Sequence, residues 1–183
     1  SYKERLKDAK KKTEQDCAIM VAKGNINNIE ITVAASNFSF LGGSISLAES
    51  EALIYAIKHS IENKTSFINF CSGGGMRMMA SAVSLTKGMA ATTIAINELK
   101  KNKLPYIVCV VDPCAGGISA SYAMTGDIIM GEVGALCAFA GRRVVQATVK
   151  EELPDDFQSV EFLQKHGFID KVGARKVDSR GSG

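Results

Sequence analysis

The sequence lacks the features that define several large classes of protein. No apolar run comes near the roughly 18 residues needed to cross a bilayer, and the first residues are charged, unlike a signal peptide. The 22 Lys and Arg against 19 Asp and Glu leave a net charge of only +3, too little to indicate nucleic acid. We therefore expect a globular protein that contacts neither membrane nor nucleic acid.

Cysteine is present but not in a metal-binding pattern. The chain has five cysteines, and none belongs to a C-x-x-C pair. We therefore expect neither zinc nor any other metal in this chain. An odd number of scattered cysteines within apolar segments indicates reduced thiols in the core, which is typical of the cytosol. The expected location is therefore the cytosol.

Length and composition predict one domain. An apolar share of 46% over 183 residues suits a chain that buries a core. No linker divides residues 1–178, and we assign residues 179–183, Ser-Arg-Gly-Ser-Gly, to a linker. The basic cluster within residues 3–14 is interspersed with acids. It indicates a solvated helix, with a surface for an anionic ligand as the alternative.

A strand, a glycine turn and a helix occur twice. Residues 17–23 and 29–35 first predict a β-hairpin, with turn residues at 24–25 and 27–28, and residues 46–63 predict a helix. The strand 67–71 then leads through a glycine turn to a helix ending near residue 101. The strand 106–111 leads through a second glycine turn to a helix ending near residue 125. This pattern predicts an α/β protein with a parallel sheet.

The remaining segments predict shorter elements. Strands are expected at residues 127–131 and 135–138, and helices at 142–152 and 159–166. Leu153-Pro154 ends the first of these helices, and Gly167 caps the second.

The two glycine turns offer backbone amides to an anion. A Gly-Gly pair leaves N–H groups uncovered by side chains, and a helix beginning there adds further donors. Such a turn holds a phosphate or the oxyanion of a reaction intermediate, or it only lets a helix pack closely on a strand. Two turns at successive strands favour function, because both lie at the same edge of a parallel sheet. Neither matches the P-loop or the Rossmann pattern.

Side chains for acid–base or nucleophilic catalysis are scarce. Ser119 and Ser121 follow the second glycine pair, where a Clp-type peptidase has its nucleophile. The only two histidines are His59, expected at the surface, and His166, expected as a cation at a helix end. Both are badly placed for a triad. The acids nearest the turns read as caps or surface carboxylates: Asp112, Asp127, Glu132 and Glu98. The chemistry needs a base from the substrate or cofactor.

The sequence from Tyr2 to Val172 resembles the β subunit of the carboxyltransferase of bacterial and plastid-type acetyl-coenzyme A carboxylase. Each matching motif is weak alone, but their order and spacing follow that family through nearly the whole chain. The motifs are Tyr2-Lys3-Glu4-Arg5-Leu6, Phe38-Ser39-Phe40-Leu41-Gly42-Gly43-Ser44, Ser72-Gly73-Gly74-Gly75-Met76-Arg77-Met78, Leu104-Pro105-Tyr106, residues 112–121 from Asp112-Pro113 through Gly116-Gly117 to Ser121, Phe139-Ala140-Gly141-Arg142-Arg143-Val144, and Leu153-Pro154-Asp155-Asp156-Phe157-Gln158 with Glu161-Phe162-Leu163.

The resemblance implies a crotonase-like fold, the ClpP/crotonase spiral of ββα units, and a reaction. Carboxybiotin on a carrier protein supplies carbon dioxide and then the base that deprotonates acetyl-CoA, giving malonyl-CoA for fatty acid synthesis. Gly116 and Gly117 would donate N–H groups to the enolate oxygen. The further residues expected at the substrate are Gly73, Gly74, Gly75, Arg77, Ser119, Ser121, Gly141, Arg142 and Arg143. A homologous α subunit would supply matching donors, in an α2β2 heterotetramer.

The sequence departs from the family pattern in places. The family usually carries an N-terminal four-cysteine zinc ribbon, and this sequence begins just after where it would end. The common Gly-Ala-Arg-Met-Gln-Glu run is Gly75-Met76-Arg77-Met78-Met79-Ala80 here, which questions any role carried by the Glu. Two alternatives stay open: a stand-alone crotonase-type acyl-CoA hydratase or isomerase, and a non-catalytic subunit that binds acyl-CoA or a partner.

Overall fold

The computed structural model describes residues 1–80 and 82–174, and side chains throughout these ranges except in 82–86. The predicted linker at 179–183 and the last residues of the predicted domain lie outside the described residues. No helix in the described ranges is both long enough and apolar enough to cross a membrane.

A twisted, mainly parallel sheet forms the centre of the molecule. Its strand order is β1-β2-β3-β4-β5-β7, and a short β6 pairs with the end of β4. Among the strand pairs of the described residues, β1–β2 is antiparallel and the others are parallel. The bounds are β1 Ile19–Ile26, β2 Ile29–Ser36, β3 Ser66–Gly73, β4 Tyr106–Ala115, β5 Ile128–Glu132, β6 Cys137–Ala138 and β7 Lys171–Gly173. This is the predicted α/β class.

The predicted hairpin is confirmed, with its turn at the later of the two candidate positions. Asn27 and Asn28 form the turn with φ of 50° and 65°, whereas Gly24 and Asn25 lie within β1. Asparagine tolerates the left-handed region that a two-residue hairpin turn needs at both positions.

Five helices accompany the sheet in the described residues: α1 Tyr2–Thr13, α2 Leu47–Asn63, α3 Ala82–Lys101, α4 Arg142–Val149 and α5 Val160–Lys165. Helix α2 packs on β1, β2 and α3. Its Leu53 and Ile57 are each 1% exposed, which fits the predicted apolar face. In the same core, Tyr106 stacks on Phe67 with ring centroids 5.3 Å apart.

The two predicted glycine turns leave the same edge of the sheet, as expected. Strands β3 and β4 pair in parallel from Phe67↔Tyr106 to Gly73↔Cys114. The carboxyl ends of neighbouring parallel strands meet at one edge, so the loops that follow them lie side by side.

The helix predicted directly after the second turn is wrong. Strand β4 continues through Ala115, because its last residues pair with β6. After Gly117 the chain forms turns and then a three-residue 3-10 helix, Tyr122–Met124. The helix after the first turn also begins later than predicted, at Ala82. No helix therefore begins directly at either glycine pair in these described segments.

The C-terminal helices are shorter than predicted. Helix α4 ends at Val149 rather than at residue 152, with Lys150 in the left-handed region at φ 55°. Helix α5 ends at Lys165, and Gly167 follows it with φ +79°, as expected for a C-terminal cap.

Candidate active site

Three glycine-rich loops pack backbone against backbone at the carboxyl edge of the sheet. The Gly74 N–H donates to the Gly42 oxygen at 2.9 Å. A Cβ on Gly73 would lie 2.3 Å from the Gly43 oxygen, and a Cβ on Gly75 would lie 3.3 Å from the Gly116 Cα. Side chains at these positions would push the loops apart, so glycine is required by close approach.

Two unengaged amides face each other across this packing. Ile45 donates to the Gly75 oxygen at 2.9 Å and accepts from the Arg77 N–H at 2.8 Å. This bridge turns the N–H of the intervening Met76 to the other side, where a Cβ on Gly117 would lie 3.9 Å from the Met76 nitrogen. Within the described ranges, neither the Met76 N–H nor the Gly117 N–H has an acceptor. Sequence reasoning missed Met76.

Among the described residues, Gly116 has a hydrogen-bond acceptor for its N–H, unlike Gly117. Its N–H donates to the Ala138 oxygen at 2.9 Å, and its φ is +62°. The predicted donor pair Gly116 and Gly117 is therefore split. Gly116 fixes the loop onto β6 in the left-handed conformation that glycine favours, and Gly117 presents the unengaged N–H.

The serines after the glycine pair also hold the loop. The Ser119 hydroxyl lies 2.8 Å from the Ala138 oxygen and 3.0 Å from the Gly116 oxygen. The Ser121 hydroxyl donates to the Gly117 oxygen. Hydroxyls that bond to nearby carbonyls compete with helix formation, which explains the turns that replace the predicted helix. Both hydroxyls are used as donors to carbonyls, and neither pairs with a histidine.

Arg77 lies in a buried ion pair. Its Nη2 is 2.7 Å from Glu49 Oε1, and the two side chains are 6% and 0% exposed. The guanidinium also bonds to Ser44 and Ser46, and its Cζ lies 5.5 Å from the centre of the Phe40 ring. The structure thus ties Arg77 to the start of α2, directly beside Met76.

The Glu49 carboxylate is held ionised in this pair. Burial acts to raise the pKa of Glu49, but hydrogen bonds from Ser46 and from the Ala18 N–H, together with the charge of Arg77, outweigh it and lower the pKa below 4.5. The spacing Ser46-x-x-Glu49 is a capping box at the start of α2, and this was the one signal in the sequence that could have identified the residue.

The second arginine motif forms the start of α4. Gly141 is the N-cap residue of α4. The Arg142 guanidinium donates to the carbonyls of Leu153, at 2.5 Å, and Pro154, at 2.6 Å, and so fastens α4 to the next loop. Arg143 is exposed and is the arginine of this motif that is open to a ligand.

The carboxylates near the loops act as caps, as expected. Asp112 accepts from the Leu136 N–H at 2.8 Å. Asp127 accepts from the Tyr106 N–H at 2.9 Å and pairs with Lys100. The site is thus rich in backbone donors and poor in side-chain bases. Within residues 1–80 and 82–174, no group of His, Cys, Asp and Glu could hold a metal.

The histidines lie away from the glycine loops. The His166 Nδ1–H donates to the Phe162 oxygen, 2.7 Å away, and the residue lies at the end of α5, the position predicted for it. His59, expected at the surface, is half-buried. Its Nδ1 lies 3.0 Å from the hydroxyl of the buried Thr32, which corrects that prediction.

Two cavities adjoin Met76. An open depression of about 240 Å³ is lined by Tyr2, Arg5, Leu41, Ser44 and Met76 to Met79. A second and much smaller space of about 10 Å³, the closed space, is lined by Ile45, Ser50, Met76, Met89, Thr92, Thr93, Ser121 and Tyr122. Met76 lines both spaces.

The fold is crotonase-like. Solved structures that share it include a transcarboxylase and a malonate decarboxylase. Transcarboxylase 12S matches with a TM-score of 0.77 at 24% identity, over 86% of this chain and 30% of that one. The Pseudomonas malonate decarboxylase MdcD-MdcE hetero-dimer matches with a TM-score of 0.72 at 20% identity, over 87% of this chain and 71% of that one.

The chain belongs to the carboxyl transferase domain family, whose model matches residues 2–166. It is 59% identical over 175 residues to the acetyl-coenzyme A carboxylase carboxyl transferase subunit beta of Pelagibacter ubique, covering 96% of this chain and 56% of the relative. The subunit of the same name from Azorhizobium caulinodans is 47% identical, over 93% and 57%. The chain thus spans a little over half the length of these curated relatives.

Proposed function

We propose that this chain is the crotonase-like part of a carboxyltransferase β subunit, which transfers a carboxyl group from carboxybiotin to acetyl-CoA and forms malonyl-CoA. The observation that carries the proposal is the pair of amides at Met76 and Gly117, which have no acceptor among the described residues, in a site whose described lining contains no Asp, Glu or His. The relatives named for this activity, up to 59% identical, support it.

The chemistry assigned to this chain is the stabilisation of an enolate. Removing a proton from the methyl group of acetyl-CoA places negative charge on the thioester oxygen. The two N–H groups would hold that oxygen, and one such donor is worth roughly 3–4 kcal/mol in a preorganised site. Biotin, carried on a separate protein, would supply the carboxyl group and the base. Because biotin would supply the base, the reaction would need no catalytic carboxylate from Asp112 or Asp127, which act as caps.

The coenzyme would occupy the open depression beside Met76. Arg5 lines this space and lies on α1 in the basic N-terminal segment. Its positive charge suits the phosphates of CoA. This agrees with the alternative interpretation of the basic N-terminal segment as a surface for an anionic ligand. Gly73 to Gly75, Gly141 and Arg143 remain candidates for contacts to the thioester, the coenzyme or biotin.

A partner subunit is part of the proposal. No residue of α4 is buried, and Phe139, Val144 and Val149 near it are 71%, 60% and 49% exposed. Clustered apolar exposure of this kind supports association with another chain. We assign it to a carboxyltransferase α subunit, in an α2β2 assembly served by a biotin carrier protein, in the bacterial cytoplasm or the plastid stroma.

The test is malonyl-CoA decarboxylation, with biocytin as acceptor, by this chain combined with its α subunit. Gly117→Pro removes the proposed donor N–H and should lower kcat by a factor of about 100 or more. Gly117→Ala keeps the N–H. Its Cβ would lie 2.7 Å from Met76 Cγ and 3.1 Å from Sδ, so the Met76 side chain must shift, but its nearest backbone neighbour is at an ordinary 3.9 Å, and the variant should retain far more activity. Native mass spectrometry checks that both variants assemble. Equal activity of the two assembled variants would contradict the proposal.

A further inference from the structure

The Met76 side chain lies against the Cα of Gly117. A Cβ on Gly117 would be 2.7 Å from Met76 Cγ and 3.1 Å from its Sδ. The side chain is half-buried and packs against the main core. Its backbone N–H is one of the two unengaged donors, so the side chain borders the position of any oxygen that these donors hold.

This side chain separates the two spaces at the site. The coenzyme is far too large for a space of about 10 Å³, so it must leave through the open depression of about 240 Å³. The α-carbon of the acyl group has to stay accessible to the carboxyl donor. A β-carbon or longer chain needs room beyond it, and the closed space holds at most about one water molecule.

We infer that the Met76 side chain sets the length of the acyl group, admitting acetyl and excluding propionyl and longer groups. The inference rests on the proposed function and assigns a specificity role that is separate from that of the Met76 N–H. Of the other residues that line the closed space, Ile45 and Tyr122 are buried at 2% and 6% exposure, whereas Met89 is half-buried and Thr93 is exposed. Met76 is the wall adjoining both the reacting oxygen and the closed space.

Shortening this side chain should enlarge the closed space without removing a donor. Met76→Ala keeps the backbone N–H and deletes the Cγ, Sδ and Cε atoms. One methylene in an apolar pocket changes discrimination by about 10- to 200-fold. We therefore expect the ratio of kcat/KM for propionyl-CoA to that for acetyl-CoA to rise by about that factor. Met76→Leu conserves volume and should keep the original ratio.

The experiment measures carboxylation and binding of acetyl-, propionyl- and butyryl-CoA by the assembled α/β complex. Met20→Ala, 45% exposed on β1, is the matched control and should behave as wild type. A Met76→Ala complex that carboxylates acetyl-CoA with an unchanged propionyl ratio would overturn the inference.

Calorimetry separates this inference from the proposed function. If the wild-type complex carboxylates no acyl-CoA, the proposed function fails, and the affinities for the three acyl-CoAs still decide the role of Met76. A tenfold or larger gain in relative affinity for propionyl-CoA in Met76→Ala would support it. Relative affinities equal to those of wild type would refute it.

Discussion

Replacing Glu49 by glutamine should destabilise the protein strongly. The carboxylate is fully buried and lies 2.7 Å from the Arg77 guanidinium, itself 6% exposed. It also accepts from the N–H groups of Ala18, at 3.0 Å, and Ser46, at 2.8 Å. The glutamine has nearly the same shape but leaves the Arg77 charge buried without a counter-charge. Breaking a buried pair in this way costs roughly 3–5 kcal/mol.

Equilibrium unfolding in urea measures the loss in free energy of unfolding, and thermal unfolding measures the matching fall in Tm. For a domain of 183 residues, each kcal/mol shifts Tm by roughly 2–4 °C, so Tm should fall by about 6–20 °C. Glu51→Gln is the matched control, because Glu51 is exposed two residues further along α2, and it should change stability by less than about 0.5 kcal/mol. A loss below about 1 kcal/mol for Glu49→Gln would refute the assignment of a buried, compensated charge.

The acid side of the stability curve gives a second readout. Because the folded pKa of Glu49 lies below 4.5, its contribution is fully present above the unfolded pKa and is lost as the pH falls through the folded value. The wild type should therefore lose more stability than Glu49→Gln between about pH 5 and pH 3. Identical slopes in the two proteins would contradict this linkage.

Two further predictions concern the loops and the thiols. Gly73→Ala should lower the free energy of unfolding in urea by more than about 2 kcal/mol, because its Cβ would lie 2.3 Å from a backbone oxygen at φ +148°. Gly24→Ala, whose Cβ would have no heavy atom within 4 Å, should cost far less. Equal urea midpoints for the two variants would contradict this. Burial raises the pKa of Cys109 to about 11. Its alkylation by iodoacetamide, followed by mass spectrometry, should therefore accelerate roughly tenfold per pH unit from pH 7 to 9. A constant alkylation rate over this range would contradict that pKa.

The sheet and the position of the site could be predicted because they depend on local patterns. Apolar runs at 67–71 and 106–111 identify buried parallel strands, and glycine pairs directly after them identify loops at one edge. The hairpin turn at Asn27 and Asn28 follows from the same local chemistry. These features need no knowledge of which residues meet across the fold.

The donors themselves could not be predicted, because they depend on pairing between distant segments. Met76 presents its N–H because Ile45, 31 positions earlier, binds the residues on either side of it. The Gly116 N–H donates to the Ala138 oxygen, again because two distant segments pair, and so it is not available to a ligand. The pattern after Gly117 predicts a helix, yet the Ser119 and Ser121 hydroxyls take up the carbonyls there. The Arg77–Glu49 pair likewise joins segments that are far apart in the chain.

The backbone origin of the two donors determines which mutations can reveal them. Substitution of Met76 or Gly117 by alanine exchanges side chains and retains both N–H groups, so an alanine scan of this protein would record packing and pass over the proposed donors. Replacing the amide of residue 76 or 117 by an ester, through chemical ligation or an α-hydroxy acid, deletes one donor and leaves every side chain in place. The proposed donors are therefore accessible to backbone chemistry and, among the standard residues, to proline alone.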